Sequence, residues 1–570
     1  MGSNEPLAVQ PWFNLIDEAW IPVIDATGKQ VEVSLRDLFI RADQWQRLVG
    51  DLPTQVFANL RVFLAVLHRA VGGPENVDHW VEIKDHWADT VDAVSAYLDD
   101  WHERFWLIHP IHPFMQVADL HTPKDEFFGL NRIVCDGPGG KAQTFLSTRQ
   151  GVRSNRITWS EAARWLIHAQ AYDVAGIHSG AVGDPRVSDN KGPGIGTGWA
   201  GQIGGIYLLG EGVRETLLLN LVITGDESEL QLQGGLGDRP VWERGPLGSL
   251  PEGWTQRGGR DQPYRQPQGP VDLYTWPARR LRLFGDREFC TGAINAQGDR
   301  AVPHNRFQFE PMTAWRYSGQ QTKNLGYDTY MPLEHDPSRS FWRGLAALLP
   351  GSDTKYNQPI RPGGPAPRLP PAMMNWIERL QSAGKMPRQH IDVRAVGIEY
   401  GSNKSVYKEI VTDELRLPTA LLDDKFKDLV VIAEEAVDVA DEAVIALGYL
   451  AKNIALAAGA SSKDKGPRQI ATAQAYDALD EEFRDWIVTL TDPSKIAERR
   501  QNWQSSVSII LRGIANRIIR EAGPAALVGR EANGRHLDAG LADLRFQAKL
   551  RQLLPEAFSD KSETTAVAHV

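Results

Sequence analysis

The sequence has few cysteines, no long apolar run and no signal-like start. Its two cysteines, Cys135 and Cys290, lie far apart and have no C-x-x-C partner, which argues against a disulfide framework and a structural zinc site. No uninterrupted apolar run approaches the ~20 residues that span a bilayer. The opening MGSNEPLAVQPW lacks the basic start and apolar stretch of a secretion signal. We therefore expect a cytoplasmic protein without membrane contacts.

Positive charge is not in excess either. The chain has 62 Lys and Arg residues against 72 Asp and Glu residues, a formal net charge of −10. A protein that coats nucleic acid through a global positive field would be basic. Any contact with nucleic acid is therefore expected at local sites.

The length of the chain and the change in its sequence pattern near residue 415 predict more than one domain. A chain of 570 residues exceeds what one hydrophobic core usually supports. Residues 1–415 mix short strands and buried helices with long Gly, Pro and Arg rich stretches. We predict an α+β fold: a large mixed α/β N-terminal domain with long irregular loops over 1–415, a C-terminal antiparallel four-helix bundle over 416–557, and a disordered tail over 558–570.

Local patterns predict several elements of the N-terminal domain. Two strands flank a turn at Thr27 and Gly28, and Ser34 caps the helix that follows. Apolar residues at helical spacing predict a buried helix over 55–71. Further strands are predicted at 206–210, 216–223, 391–401 and near 407, and a short helix at 375–384.

The sequence pattern of the C-terminal region predicts helices. From Asp423 to Ala458 apolar residues alternate spacings of four and three, which is the seam of a bundle. Three more helices are predicted at 468–490, 494–522 and 537–554. Acidic side chains predominate in the first helix and basic ones after residue 495. These are either two solvated faces of opposite sign or, on the basic side, a surface for a phosphate backbone.

Gly196, Gly198 and Gly201 satisfy the spacing G-x-G-x-x-G. A dinucleotide fingerprint needs a helix that opens at the glycines, whereas here the strand pattern IYLLG follows. We interpret the match as accidental. The glycines still leave one enzyme hypothesis open, a cytoplasmic enzyme that uses this Gly-rich region for a nucleotide.

No other pattern predicts catalysis or a metal site. His109 and His112 lack an accompanying carboxylate pattern, and the His-Asp pair in Glu334-His335-Asp336 lacks further correctly spaced His and Asp residues. No nucleophile lies in a recognisable elbow. We expect no cofactor, no metal and no catalytic residue.

Three sequence blocks precede the helical region: NLIDEAWIPV at 14–23, HPFMQ at 112–116 and VGIEYGSNKS at 396–405. Together they resemble the CasA family, the Cse1-type large subunit of the type I-E CRISPR Cascade complex. The likeness extends from about residue 14 to about residue 555. It implies a non-catalytic subunit, in antiviral defence, that recognises the protospacer-adjacent motif of double-stranded DNA, initiates unwinding and R-loop formation, and recruits a helicase-nuclease. The other implied partners are the 5′ handle of the guide RNA and the backbone, small and handle-binding Cascade subunits.

The resemblance also implies site residues on the DNA side. Reading a motif from the minor groove brings backbone into a slot about 6 Å wide, which glycine allows. The glycine loop of the family resembles Gly176, Ile177, His178, Ser179 and Gly180. Arg306 falls at the position of a minor-groove finger, and Asn403 with Lys404 falls at the wedge that parts the strands.

Two further groups of side chains follow from the resemblance. A loop that grips the guide RNA resembles residues 145–158, with Phe145, Arg149, Arg153 and Arg156. Arg499, Arg500, Arg517 and Arg520 would lie along a DNA strand. From the residues alone, these sites could equally be a solvated loop, ordinary turn residues and a solvated helix face, in a subunit that is a passive scaffold.

Overall fold

The computed structural model describes residues 10–136, 155–224, 230, 232–252, 265–350, 367–386, 390–532 and 535–559. The chain divides into two compact units. The first comprises residues 1–339, 357–387 and 392–414, and the second comprises 340–356, 388–391 and 415–570. The second unit thus includes two short segments that precede the helical region.

Three helices of the first unit have 14 or more residues, and its other described helices are shorter. In chain order, the helices of this unit are α1 (Leu35–Ile40), α2 (Pro53–Val71), α3 (Val77–Asp85), α4 (Trp87–Asp100), α5 (Trp159–Tyr172), α6 (Val213–Asn220), α7 (Pro270–Tyr274), α8 (Gly319–Leu325) and α9 (Ala372–Ser382). Those of the second unit are α10 (Lys427–Ala457), α11 (Gly466–Ile487), α12 (Ile496–Arg520), α13 (Pro524–Val528) and α14 (Ala539–Leu553). Within the described residues, no helix is long and apolar enough to cross a membrane.

The strands form small sheets, and every pair whose register is described is antiparallel. Up to residue 317 the strands are β1 (Trp12–Asn14), β2 (Ile21–Asp25), β3 (Gln30–Val33), β4 (Trp45–Leu48), β5 (Trp106–Ile108), β6 (Ile157–Thr158), β7 (Gly205–Leu209), β8 (Arg279–Gly285), β9 (Phe289–Gln297) and β10 (Trp315–Tyr317). The others are β11 (Tyr330–Pro332), β12 (Arg368–Leu369), β13 (His390–Tyr400), β14 (Tyr407–Pro418), β15 (Arg530–Ala532) and β16 (Arg535–Leu537). The protein is therefore a mixed α/β structure.

The predicted N-terminal hairpin is confirmed. β2 and β3 pair from Ile21 with Val33 to Ile24 with Gln30. The turn closes because the Asp25 carboxylate accepts from the backbone N–H of Thr27 at 2.8 Å, and Gly28 adopts a φ of 81°, which glycine accommodates without strain. The hydroxyl of Ser34 accepts from the backbone N–H of Asp37 at the start of α1, as predicted.

α2 is the central helix of the first unit and is buried from Thr54 to His68. The predicted helix at 55–71 is thus confirmed, and the polar side chains on it need partners. Arg61, 2% exposed, forms two hydrogen bonds with the carboxylate of Glu310, at 3.0 and 2.8 Å. A buried ion pair of this kind fixes the position of the segment that carries Glu310.

The predicted strand at 216–223 is wrong, because residues Val213–Asn220 form the helix α6. The amide of Asn220 accepts from the N–H of Leu208 at 2.9 Å and donates to its carbonyl at 2.7 Å. A side chain thus takes the place on β7 that a neighbouring strand would occupy. A short apolar run is compatible with a helix or a strand, and here this tertiary contact decides.

The second unit is built on α10, which packs against α11, α12 and α14, while α11 packs against α12. The predicted long helix is confirmed, and its buried side chains include Val430, Val437, Val444 and Leu447. Aromatic rings fill the space between the helices. The Phe483 ring stacks on that of Trp342 with 4.4 Å between ring centroids, and it lies edge-on to the Trp503 ring with 5.3 Å between centroids. These side chains fix the helices through apolar packing.

Candidate nucleic-acid interface

The glycines of the G-x-G-x-x-G stretch serve close packing. A methyl group on Gly198 would collide with the carbonyl group of Ala171, and one on Gly201 would collide with the hydroxyl of Tyr400. Gly196 has a φ of 101°, which favours glycine. The stretch then forms one short 3-10 turn at Ala200–Gln202 and enters the strand β7, so no α-helix N-terminus is available there for a pyrophosphate.

The other enzyme-like patterns also have structural partners. His335 donates from Nε2 to the carbonyl oxygen of Gly205 at 2.9 Å, and burial lowers its pKa. Asp336 accepts from the backbone N–H of Ser338 at 2.9 Å, which is an ordinary turn contact. No group of three or more His, Cys, Asp or Glu side chains in the described part of the chain could hold a metal ion.

The predicted glycine loop, residues 176–180, follows the end of α5. Ile177 is 63% exposed, whereas His178 and Ser179 are 3% and 8% exposed. A methyl group on Gly180 would lie 2.8 Å from the backbone of Asn190, so packing requires glycine there; on Gly176 it would make only ordinary contact, 3.4 Å from the carbonyl oxygen of Ser405. Gly176 and Ile177 are therefore the part of the loop that can approach a ligand.

The side chain of His178 is buried beneath this loop and does not face solvent. Its Nε2 donates to Oδ2 of Asp173 at 2.5 Å. Its Nδ1 lies 2.6 Å from both the carbonyl oxygen of Gly176 and Nε2 of Gln297, and this amide also donates to the Gly176 carbonyl oxygen at 3.2 Å. Asp173, 1% exposed, also accepts from Arg279 Nε at 2.8 Å and from Asn295 Nδ2 at 2.9 Å. The imidazole and the Gln297 amide thus pack together against the backbone of Gly176, and the imidazole is not available to a base edge.

The predicted wedge is the tip of the hairpin between β13 and β14. Asn403 and Lys404 both adopt left-handed backbone, with φ of 55° and 52°, which is uncommon for residues with a Cβ and concentrates at functional sites. The Lys404 ammonium lies 3.0 Å from each carboxylate oxygen of Glu334. The side chain of Asn403 is exposed, and the tip is held by the N–H of Lys404 donating to the carbonyl oxygen of Gly401 at 2.9 Å.

The structure brings the glycine loop and the wedge together. The backbone N–H of Ala175 donates to the carbonyl oxygen of Lys404 at 2.7 Å. The hydroxyl of Tyr400 donates to the carbonyl oxygen of Tyr172 at 2.6 Å. Burial raises the pKa of Tyr400 well above its usual value, so this hydroxyl keeps its proton. Two segments more than 200 residues apart therefore share one surface.

Arg306 is not part of that shared surface. It lies in the turn before β10, where its Nε donates to the carbonyl oxygen of Val302 at 3.1 Å and its guanidinium reaches the side chain of Gln266. Burial lowers its pKa, although an arginine stays charged. In the part of the chain that the structure describes, none of its contacts is with the glycine loop or the wedge.

Of the predicted guide-RNA loop, Phe145, Arg149 and Arg153 lie outside the described residues. Arg156 is exposed just before β6. Its guanidinium carbon lies 4.4 Å from the ring centroid of Phe289. A cation on an aromatic face keeps its hydrogen-bond donors for other partners.

The four predicted arginines of α12 differ in exposure. The carbonyl oxygen of Arg499 accepts from Trp486 Nε1 at 2.8 Å, and its side chain is 24% exposed. Arg500 pairs with Glu435 at 2.8 Å. Arg517 and Arg520 are exposed, and within the described residues their side chains bond only to Gln474 at 3.0 Å and to the backbone of Asn516 at 3.2 Å. The last two are therefore the better candidates for a polyanion.

Sequence reasoning missed Asp173, Arg279 and Glu334. Arg279 is 0% exposed and donates to the carbonyl oxygens of Val174 and Gly196 at 2.8 and 2.9 Å. The signal for it was an arginine in the apolar alternation of β8, since a buried guanidinium must be satisfied by several acceptors. Glu334 belongs to the Glu334-His335-Asp336 motif, whose sequence carries information only about a possible metal site.

Comparisons with known proteins now place the chain among CRISPR-associated proteins. The sequence profile of the family described as CRISPR-associated protein Cse1 matches residues 14–513. The chain is 29% identical over 461 residues to the CasA/Cse1 protein of Thermus thermophilus, covering 80% of each protein. The crystal structure of Thermobifida fusca Cse1 superposes with a TM-score of 0.84 at 41% identity, over 96% of this chain and 99% of that one.

This chain belongs to the Cse1 family, as the resemblance predicted. A chain of a structure described as a CRISPR RNA-guided surveillance complex has the same fold, with a TM-score of 0.64 at 16% identity over 89% of this chain and 100% of that one.

Proposed function

We propose that this chain is the non-catalytic large subunit of a type I-E CRISPR Cascade surveillance complex and that its glycine loop and wedge recognise the protospacer-adjacent motif and open the duplex beside it. The observation that carries the proposal is the hydrogen bond from Ala175 to the carbonyl oxygen of Lys404, at 2.7 Å. The segment that recognises the motif and the segment that parts the strands must act on neighbouring base pairs. This bond joins Lys404 of the wedge to Ala175, the residue that precedes the glycine loop. Family membership supports the setting.

The glycine loop would read the motif from the minor groove. That groove is about 6 Å wide and offers mainly a distinction between A·T and G·C pairs. Gly176 has no side chain, and in the described residues no hydrogen bond involves the backbone N–H of Gly176 or of Ile177. Both donors can therefore meet the acceptors on the groove floor, while the exposed Ile177 side chain packs on the sugars.

The wedge would part the first base pairs after the motif. Unstacking one base step costs on the order of a few kcal/mol, which contacts with the separated strands must offset. Asn403 provides a polar tip on a strained turn. Lys404 can bind a phosphate only after leaving Glu334, so its ion pair competes with DNA.

The remaining predicted contacts complete this proposal. Arg306 would enter the minor groove as a finger once released from Gln266, because a narrow groove attracts arginine. Residues 145–158, including Arg156, would grip the 5′ handle of the guide RNA. Arg499, Arg500, Arg517 and Arg520 would line a DNA strand, with α10, α11, α12 and α14 as an antiparallel four-helix bundle within a C-terminal domain, 416–557.

The protein partners follow from the complex. They are the backbone, small and handle-binding Cascade subunits and the helicase-nuclease that degrades the target in antiviral defence, all acting in the cytoplasm. Sequence pairing itself would belong to the guide RNA, as in other RNA-guided systems. The described residues offer no metal cluster, and the Gly-rich stretch enters a strand, so the nucleotide-binding enzyme is the weaker candidate.

The test compares the assembled guide-RNA complex on duplexes that differ only in the bases of the motif. We expect affinity to depend on two or three of these bases and to fall as salt rises. Gly176→Ala should weaken that dependence without loss of stability, since its methyl group has room. Gly237→Ala, which places a methyl group in open space elsewhere, is the matched control. Equal affinity for all motifs would overturn the proposed motif reading, and a thermal shift with NAD, ATP or divalent metals would favour the enzyme.

A further inference from the structure

The glycine loop and the wedge hairpin rest on the same buried carboxylate. Oδ2 of Asp173 accepts from His178, which lies in the loop, at 2.5 Å, and Oδ1 accepts from the hydroxyl of Tyr407, which begins β14, at 3.3 Å. The carbonyl oxygen of the same residue accepts from the N–H of Gly198 at 2.9 Å. One residue thus contacts the loop, the hairpin and the Gly-rich stretch.

Arg279 fixes this carboxylate. Its guanidinium donates to the Asp173 side chain at 2.8 Å and to the Asp173 carbonyl oxygen at 3.0 Å. Two more of its bonds go to the carbonyl oxygens of Val174 and Gly196. Because both partners are at most 1% exposed, water cannot substitute for these bonds, and the carboxylate has little freedom to move.

The hairpin side is held by two tyrosines. The Tyr407 hydroxyl reaches Asp173, and the Tyr400 hydroxyl reaches the carbonyl oxygen of Tyr172, the preceding residue. The two rings lie 5.9 Å apart. They flank the tip that carries Asn403 and Lys404, so a shift at the end of α5 would reach both strands of the hairpin.

We propose that Asp173 is a positioning residue that couples motif reading to strand opening, acting on the loop through His178 and on the wedge through Tyr407, with Tyr400 as a second tie. This inference rests on the proposed function. A base contact at Gly176 bears on the carbonyl group that lies against the His178 ring, and the carboxylate that binds this ring also holds the wedge hairpin. Motif contacts and wedge insertion then occur as one event rather than as two independent ones.

The test changes the tyrosines and not Asp173, because Asp173→Asn would leave Arg279 buried beside a neutral partner and could fail to fold. The double variant Tyr400→Phe plus Tyr407→Phe removes only two hydroxyls. Tyr97→Phe is the matched control, since its hydroxyl donates to Glu243 at 2.7 Å in the same unit, away from loop and hairpin. Thermal unfolding of each subunit records the loss of stability.

Strand opening is measured in the assembled guide-RNA complex with 2-aminopurine placed beside the motif. The quantity compared is the ratio of opening rates on a duplex with the motif and one without it. The double variant should lower this ratio about tenfold, which corresponds to the loss of two hydrogen bonds, while equilibrium binding to a duplex already unpaired beside the motif stays within about twofold of wild type. Tyr97→Phe should leave the ratio unchanged.

A wild-type ratio in the double variant would overturn the coupling while leaving the proposed function intact. An equal fall of the ratio in Tyr97→Phe would assign the effect to stability and also overturn it. Loss of binding to the duplex that is already unpaired beside the motif would show that the double variant is defective in DNA binding, and this result would also overturn the coupling. A wild-type complex whose opening ignores the motif would overturn the proposed function itself, and the coupling with it.

Discussion

The two units use their arginines in opposite ways. In the first unit Arg61, Arg279 and Arg280 are at most 2% exposed and bind carboxylates or backbone carbonyl oxygens. In the second unit Arg517 and Arg520 are exposed. Buried guanidinium groups must have all their donors satisfied, so they fix the segments around them. The helices of the second unit are fixed by an apolar seam instead, and Arg517 and Arg520 on α12 stay exposed to a partner.

Breaking one ion pair in each unit tests this contrast with the largest effect. Arg61→Met leaves Glu310 buried without its cation and should lower the free energy of unfolding by about 3 to 5 kcal/mol. Arg500→Met removes an exposed pair, 37% and 50% exposed, and should cost under about 1 kcal/mol. Chemical denaturation of the whole chain measures both. Similar losses in the two variants would contradict the contrast.

Acid should destabilise the first unit before the second. Burial lowers the pKa of His68 to about 4, so the folded state favours the neutral ring. The stability this contributes is full above the unfolded value of 6.5 and is lost as the pH falls from 6.5 towards 4, by about 3 kcal/mol.

Hydrogen exchange at a series of pH values resolves the units. His68→Gln should reduce the pH dependence of the first unit between 4 and 6.5, and buried His168, whose pKa burial lowers to about 3, should account for part of what remains. In the second unit the described histidines, His390 and His536, are both at least partly exposed. Earlier loss of protection in the second unit would contradict the prediction.

Reversing the exposed charges of α12 tests whether they are available to DNA. Arg517→Glu plus Arg520→Glu should weaken binding of opened DNA by about tenfold at low salt and flatten the salt dependence, because two phosphate contacts are lost. The free energy of unfolding should change by under about 0.5 kcal/mol. Lys463→Glu plus Lys465→Glu, exposed in the loop before α11, is the control. Equal losses of affinity in the two double variants would show that total charge matters and that the position of Arg517 and Arg520 does not.

The smallest effect concerns the ion pair beside the wedge. Glu334→Gln releases Lys404, whose side chain is 40% exposed, and should raise affinity for DNA without the motif about two- to threefold at low salt. Filter binding at two salt concentrations measures this. Glu399→Gln, which breaks the neighbouring, partly exposed pair with Lys408, should leave the affinity unchanged. Lower affinity in Glu334→Gln would show that the carboxylate assists binding.

Sequence reasoning reached features that depend on local pattern. The seam of α10, the turn at Gly28 and the hairpin tip at Asn403 follow from spacing and turn residues over short distances. The short run at 216–223 was misjudged, because Asn220 decides between helix and strand through a contact with β7. Local pattern holds no information about such a contact.

The support of the site could not be predicted for the same reason. Arg279 meets Asp173 across 106 positions and Tyr407 meets it across 234. His178 was assigned to the glycine loop by resemblance, but its burial follows from that distant carboxylate. Positions of candidate residues were accessible from the sequence, whereas the groups that hold them together were not.

Strand opening by the wedge variant tests the central claim most directly. In the assembled complex, Asn403→Ala plus Lys404→Ala should slow opening of a motif-bearing duplex by about tenfold or more, because the contacts that offset unstacking are lost, while the complex still assembles. Opening at the wild-type rate would contradict the account, and the loop and hairpin that meet at Ala175 and Lys404 would then be a scaffold only.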